Sequence, residues 1–410
     1  MRISTDARTT DIQPAINWIS GLMGGALDKR VAAFEQQERS NPLLAAYFHE
    51  NFALEFALAS ARKYRRSTDR LPKGAEYDQL YGFLIPAQRI HAALPASAKA
   101  PFEGRLRHAL NAPHGLRSFA YEISIATHLM QRNWDVVFMD YSGAARFDLL
   151  ARQSTAEVEV ECKTTSGDTG RKIHRQEVNR LADLILPTTK RLADTAGCHR
   201  LLVTIPNRLG KSTDELARIA ATVAAAAQQR TSASSDVGRV DYMFENVGSW
   251  PEPGPGRDHD AIAFFEERFG IKNSNLLFLG RARFSIVAVM ITSSKADTVV
   301  DTIADEAKEA ADQCSGTRPA LITLHLVDQI SRSDLQTMLK TPSGLHEIAH
   351  AAFKDTGRLH VDSIAFTVPQ ILRTDGHGAK WLSGEMVAIY NPQPRFPCAE
   401  IRSIFRAAKR

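Results

Sequence analysis

The sequence predicts an α/β protein in three parts: a helical N-terminal region, a mixed-sheet core and a C-terminal α/β region. Two patterns lead to this prediction. Apolar residues recur at helical spacing through residues 1 to 112. From about residue 113 onward, short apolar, β-prone segments alternate with helical ones, which is typical of α/β architecture. A length of 410 residues is enough for two or three domains.

The predicted core contains six elements in order. A helix over Leu116–Gln131 has an apolar stripe with Glu122 on its flank. Three strands follow, and they are Trp134–Met139, Arg146–Leu150 with Asp148 near its end, and Val158–Lys163. A helix from about Arg171 to Leu186 and a buried strand over His199–Ile205 complete the core, which we place at residues 113 to 230.

A loop or linker is predicted over residues 231 to 260, because the run Ser249-Trp250-Pro251-Glu252-Pro253-Gly254-Pro255-Gly256 opposes regular structure. Residues 261 to 410 then form a second α/β region of unknown role. Its predicted elements are strands over Phe284–Ile291, Ala320–Val327 and His360–Thr367, and a helix over Ser294–Gln313.

Composition restricts the class of protein. The four cysteines, Cys162, Cys198, Cys314 and Cys398, show no Cys-x-x-Cys spacing, which argues against a disulfide framework and a zinc ribbon. No signal peptide or membrane span is indicated, so a cytoplasmic protein without membrane contact is expected. A net charge of +5 favours a polyanionic partner only modestly.

The candidate chemistry lies on the strand Val158–Lys163. Because side chains alternate along a strand, Glu161 and Lys163 share one face, and Asp148 lies on the preceding strand. Two carboxylates and an amine can therefore converge. Carboxylate oxygens bind Mg²⁺ or Mn²⁺, which would activate a water, and the backbone carbonyl of Cys162 could add a ligand. The lysine could orient that water or stabilise developing negative charge.

This order of elements, with Asp148 followed by Glu161-x-Lys163, resembles the PD-(D/E)xK superfamily of restriction-endonuclease-like nucleases over residues 115 to 206. Phe147 stands where the family pattern has proline. The resemblance implies a restriction-endonuclease-like core and Mg²⁺-dependent hydrolysis of phosphodiester bonds in restriction, phage defence or repair. It also implies that Asp148, Glu161 and Lys163 are catalytic and that Glu122 assists them.

Each of these residues also has an ordinary structural interpretation. Glu161 and Lys163 could form a surface ion pair on a solvated strand face, which contributes little to stability. Asp148 could cap a turn, and Glu122 could be an exposed helix residue. Glu159 is expected to contact solvent or to lie behind the ligands. A nucleic-acid-binding protein with an inactive nuclease core is a further alternative.

Nucleic acid, DNA in preference to RNA, is the expected partner, and a homodimer is left open. Arg171, Lys172 and Arg175 follow the candidate site in sequence and are predicted to contact the phosphate backbone, although a solvated helix face would show the same charges. A second basic run falls at a predicted helix C-terminus, where the helix dipole alone favours cations. It comprises Arg62, Lys63, Arg65, Arg66, Arg70 and Lys73.

A rival motif is His346-Glu347-Ile348-Ala349-His350, a match to the His-Glu-x-x-His signature of zinc metallopeptidases. Two histidines one helical turn apart can bind Zn²⁺ while the glutamate activates water. A third ligand at recognisable spacing is missing, because Thr356 stands where an extended motif would place histidine. His360 and Glu385 are weak substitutes, so this motif supports only the alternative function.

Overall fold

The computed structural model confirms the α/β class predicted from the sequence. It describes residues 1–64, 72, 74–112, 114–141, 143, 145–246, 258–271, 275–280, 285–326, 344–367, 372–375, 378–381 and 386–405. Several predicted features lie outside the described residues: Phe284, Val327, Glu385, the run from Ser249 to Gly256, and Arg65, Arg66, Arg70 and Lys73 of the basic run.

The described chain divides into two compact units. Unit 1 comprises residues 1–31, 52–166 and 300–410, and unit 2 comprises residues 32–51 and 167–299. The predicted core, residues 113 to 230, is therefore split between the two units.

The N-terminal region is helical, as predicted, apart from the two-residue strand β1 (Asp6–Ala7). Its helices are α1 (Thr9–Met23), α2 (Ala26–Ser40), α3 (Ala45–Asn51), α4 (Ala53–Tyr64), α5 (Ala75–Ala93) and α6 (Ala96–Asn111), with a 3-10 turn at Pro42–Leu44. Within unit 1, residues of these helices share a buried core with the sheet described next, and Phe102 of α6 is fully buried in that core. No helix among the described residues is long and apolar enough to cross a membrane.

A six-stranded mixed sheet forms the centre of unit 1. Helix α7 (Arg117–Gln131) leads into β2 (Asp135–Phe138), β3 (Leu149–Gln153) and β4 (Ala156–Thr165), which are successive antiparallel neighbours. The strand on the other side of β4 is β10 (Ala320–Leu326), which runs parallel to it and follows helix α11 (Val299–Gln313). The sheet ends with β11 (Val361–Thr367) and β14 (Met386–Tyr390). The remaining strands of unit 1, β12 (Leu372–Asp375) and β13 (Gly378–Trp381), form a separate sheet with β1.

Unit 2 has its own five-stranded sheet, in the order β6-β7-β5-β9-β8. Its strands are β5 (Gly197–Ile205), β6 (Ala233–Ser235), β7 (Gly238–Glu245), β8 (Leu276–Gly280) and β9 (Ser285–Ser293). Its helices include α8 (Arg175–Leu192), α9 (Thr213–Gln229) and α10 (Asp258–Phe269). At the two ends of its longer segment, the Thr298 amide donates to the Gly170 carbonyl at 2.8 Å.

Three sequence predictions need correction here. The strand over His199–Ile205 exists as β5, but it belongs to the sheet of unit 2 and not to the sheet that contains β4. The predicted linker contains the paired strands β6 and β7, because polar residues there form a β-hairpin. The helix expected from Ser294 begins only at Val299, and the Asp297 carboxylate before it accepts from the Lys172 amide.

A buried carboxylate fixes the start of α7. The Leu116 amide donates to Glu55 Oε1 at 2.8 Å, and burial raises the pKa of Glu55 to about 7. This contact needs glycine at position 115, where φ is +61° and an added Cβ would lie 2.0 Å from the same oxygen. The contact of Glu55 with Leu116 and the glycine at position 115 therefore help to place helix α7, which carries Glu122.

Gly115→Ala should lower the free energy of unfolding by at least about 2 kcal/mol, because it combines a left-handed backbone with loss of the Glu55 contact. Gly143→Ala is the matched control: φ is +64° there, and an added Cβ meets no described atom within 4 Å. We expect it to cost only about 1 kcal/mol. Urea denaturation followed by circular dichroism measures both values, and equal losses would show that the contact at Gly115 adds nothing.

Candidate active site

The backbone of β4 separates two kinds of side chain. Val158 and Val160 are fully buried in the core that α7 covers, so Glu159, Glu161 and Lys163 point to the opposite face. Strand β3 runs antiparallel to β4 with Leu149 opposite Val160. Asp148 lies directly before β3, not inside a strand over Arg146–Leu150 as predicted, and this register brings it beside Glu161.

Backbone amides hold the carboxylates of Asp148 and Glu161. The Asp148 amide donates to Glu161 Oε2 at 3.2 Å, and the Cys162 amide donates to Asp148 Oδ2 at 2.8 Å. Both residues are buried, with 8% and 2% of their surfaces exposed. The two carboxyl groups therefore have fixed positions at one end of the β3–β4 pair.

Lys163 completes the predicted trio. Its Nζ lies 3.1 Å from Glu161 Oε1, and about a quarter of the lysine side chain (26%) is exposed. The ion pair expected as the ordinary structural interpretation is thus present, but its carboxylate is almost completely buried. A buried carboxylate with an accessible ammonium differs from a surface ion pair, because its charge is poorly solvated.

Glu122 of α7 belongs to the same group of charges. It is buried, so the alternative interpretation of Glu122 as an exposed helix residue is wrong. Glu122 Oε1 accepts from Arg105 of α6 at 2.6 Å, while Oε2 is buried without a hydrogen-bond partner among the described residues. Arg105 also donates to Asp140 Oδ2 at 2.6 Å. The structure therefore brings Glu122, Asp148, Glu161 and Lys163 together and adds Arg105 and Asp140.

Sequence reasoning missed Asp140 and Arg105. Asp140 follows β2 almost directly, and an acid just after a strand was the available signal. For Arg105 no local signal existed, because an arginine three residues after the buried Phe102 is ordinary for an amphipathic helix.

The carboxyl groups share one electrostatic environment. Burial is the largest cause that raises the pKa of Asp148, to about 6, and of Glu161, to about 8. The negative charge of Asp148 further raises the pKa of Glu161. Burial and then Asp148 hold the pKa of Glu122 well above its usual range, although Arg105 opposes this shift. Ionising all of these groups near neutral pH thus requires additional positive charge.

Glu159 has a structural role and does not contact solvent. It is fully buried, its carboxylate accepts from the Ser315 amide at 2.7 Å and from the Ser315 hydroxyl, and Arg318 lies 3.3 Å away. These partners come from the connection between α11 and β10. Because its own partners satisfy it, Glu159 is a useful control for the acids of the site.

The donor set suits a hard divalent cation. Asp148 and Glu161 offer carboxylate oxygens, the Cys162 carbonyl lies between Glu161 and Lys163 in β4, and Glu122 Oε2 has no partner. Cys162 is unsuited as a sulfur ligand, because its side chain faces the α7 core and burial raises the pKa of its thiol well above the usual range. Among the described residues, no group of three or more His, Cys, Asp and Glu side chains is arranged as a metal site. The fit therefore rests on two carboxylates, a backbone oxygen and the unpaired Glu122 oxygen.

The His-Glu-x-x-His motif lies on helix α12 (Leu345–Phe353). His346 and His350 are exposed with ring centroids 6.4 Å apart, while Leu345, Ile348 and Ala349 form the buried side of the helix. His360 is buried and its Nε2 bonds to the Ala311 carbonyl, so it is engaged elsewhere. The described residues thus give this motif two histidines and no third ligand.

The predicted phosphate-contacting residues lie in unit 2, where both arginines form ion pairs and the backbone amide of Lys172 donates to Asp297 at 2.8 Å. Arg171 pairs with Asp297 at 3.3 Å, and both residues are partly exposed. Arg175 is 7% exposed, its amide donates to Asp168, and its guanidinium lies 3.5 Å from Glu50. Helix α8 begins at Arg175, later than predicted. Arg171 and Lys172 therefore offer accessible charge, whereas Arg175 belongs mainly to the packing of unit 2.

In EDTA, the free energy of unfolding should fall as pH rises from about 5 to about 8, because the folded protein holds a proton on Glu161 that the unfolded chain loses near its ordinary pKa of 4.5. Glu161→Gln has no such proton to lose. Relative to the wild type, this variant should therefore be more stable at pH 8 than at pH 5 in urea denaturation.

The matched control is Glu159→Gln, the same change two residues away on the same face of β4. It should lose stability at both pH values, because it weakens the bonds to Ser315 and Arg318. A pH-independent difference between Glu161→Gln and the wild type would contradict the raised pKa of Glu161.

Comparison with known proteins gives no match. No protein-family model, no curated protein and no solved structure is similar to the chain at a significant level. The roles of Asp148, Glu161, Lys163 and Glu122 therefore rest on the geometry and chemistry of the residues themselves.

Proposed function

We propose that this protein is a metal-dependent nuclease of the PD-(D/E)xK type, which hydrolyses phosphodiester bonds in DNA. The observation that carries the proposal is that the Asp148 amide donates to Glu161 while the Cys162 amide donates to Asp148, with Lys163 beside Glu161. A structural ion pair needs only one carboxylate. Two buried carboxylates whose pKa values are both raised are instead typical of a functional site.

The order of elements supports the same proposal. Helix α7 and the antiparallel strands β2, β3 and β4 match the first half of the family pattern. The helix and parallel strand of the second half correspond to α11 and β10, and not to the segment over residues 171 to 205. In this interpretation, residues 167 to 299 are an insertion into the nuclease core.

In the proposed mechanism, Asp148, Glu161 and the Cys162 carbonyl would hold Mg²⁺ or Mn²⁺. The bound cation would polarise the scissile phosphate and lower the pKa of the attacking water. Lys163, which is partly exposed, orients that water or stabilises the negative charge that develops on the phosphate. Glu122 assists through its unpaired oxygen, which lies in the same electrostatic environment as Asp148.

The proposed partner is DNA, contacted through its backbone by the accessible cations Arg171 and Lys172. A reducing, cytoplasmic location is also part of the proposal. It is supported by the four cysteines, all of which are free and buried.

The substrate and the metal can be tested together. The purified chain is incubated with plasmid, linear duplex, single-stranded DNA and RNA in Mg²⁺, Mn²⁺, Ca²⁺ or EDTA. We expect cleavage of DNA in Mg²⁺ and Mn²⁺, and binding without turnover in Ca²⁺, because the looser coordination of the larger ion misplaces the water. Full activity in EDTA would exclude the metal mechanism.

Asp148→Asn, Glu161→Gln and Lys163→Met should each reduce the cleavage rate about a hundredfold or more, since all three act on one transition state. For the same reason, double variants should lose little more than single ones. Glu157→Gln is the matched control: Glu157 is on the same strand and face, but its side chain is 40% exposed and pairs with Arg152 and Arg318. Near wild-type turnover in any of the three variants would remove that residue from the mechanism.

The double variant His346→Ala, His350→Ala separates the nuclease from the alternative metallopeptidase. Both histidines are on the exposed side of α12, so their loss should leave DNA cleavage unchanged. One zinc ion per purified chain, absent from the double variant, would instead support the peptidase site.

A further inference from the structure

Arg105 bridges two acids of the candidate site. Its two terminal nitrogens contact Glu122 Oε1 and Asp140 Oδ2, each at 2.6 Å. Its guanidinium also lies 5.7 Å from the centre of the Tyr141 ring. These contacts fix the group geometrically, because a planar fork with two short charge-assisted bonds cannot rotate without breaking them.

The charged groups of the candidate site include four carboxyl groups and two cations. Glu122, Asp140, Asp148 and Glu161 bring four carboxyl groups, and Asp148 influences both Glu122 and Glu161. Two cations contact these acids: Arg105 pairs with Glu122 and Asp140, and Lys163 pairs with Glu161. When all six groups are ionised, their net charge is −2. One divalent cation neutralises this charge.

We infer that Arg105 occupies the place of a second metal ion, so that the site binds a single divalent cation next to Asp148, Glu161 and the free oxygen of Glu122. The inference rests on the proposed function. Two-metal nucleases need carboxylates for both ions, and here the guanidinium already uses one oxygen of Glu122 and one of Asp140. Arg105 acts through these carboxylates and is therefore a positioning residue.

Removal of the positive charge of Arg105 should allow a second metal ion to bind. In Arg105→Gln, the amide can still hydrogen-bond to Glu122 or Asp140. The four carboxylates and Lys163 then have a net charge of −3, which one divalent cation does not neutralise. A second Mn²⁺ should then bind between Glu122 and Asp140. Arg105→Lys keeps the positive charge and should bind the same number of Mn²⁺ ions as the wild type.

The experiment measures Mn²⁺ bound per full-length chain, by electron paramagnetic resonance of free Mn²⁺ and by titration calorimetry, without nucleic acid. We expect one ion in the wild type, one in Arg105→Lys and two in Arg105→Gln. Two ions in the wild type, or one ion in Arg105→Gln with unchanged affinity, would overturn the inference. The wild-type count decides the matter even if Arg105→Gln does not fold.

The Mn²⁺ count also distinguishes failure of the proposed function from failure of the inference about Arg105. A wild-type chain that binds no Mn²⁺ would refute both the nuclease mechanism and the role of Arg105. A chain that binds Mn²⁺ and cleaves DNA with two ions would refute only the role of Arg105.

Discussion

Burial of several carboxyl groups in one place is the constraint on which the rest of the site depends. Taking a carboxylate out of water is expensive unless hydrogen bonds or opposite charges compensate it. Here backbone amides of Asp148 and Cys162, the Lys163 ammonium and the Arg105 guanidinium each compensate part of that cost. The raised pKa values of Asp148 and Glu161 show that the compensation is incomplete. A structure with this imbalance favours a cation, and the surrounding strands and helices keep the acids from moving apart.

Local patterns were sufficient to predict part of this arrangement. The alternation in β4 predicted which side chains share a face, and the apolar stripe of α7 predicted a helix within one residue of its observed bounds. The neighbour of β4 was not predictable in this way. Both β5 and β10 are apolar segments that follow a helix, and the pairing of parallel strands far apart in sequence leaves no local periodicity.

Burial of charged residues was the second limit. Glu159 lies on the predicted face, yet it is fully buried, because the connection between α11 and β10 covers that part of the strand. Arg175 looks like a surface cation in sequence, but Glu50 and Asp168 engage it inside unit 2. Arg105 and Asp140 come from separate elements, so only the tertiary structure brings them to the acids. In each case the environment depends on residues far away in the chain.

The bond between Gly170 and Thr298 has a consequence for how the chain folds. Glu159 and Ser315, which meet beside β4, are 156 residues apart, and closing so long a loop costs chain entropy. Because the two ends of residues 167–299 lie side by side, prior folding of that segment would reduce the loop to a short connection. If residues 167–299 fold before the sheet of unit 1 is complete, β10 joins β4 across this shortened connection. A chain still emerging from the ribosome can then complete the β4–β10 pair only after residues 320–326 have been synthesised.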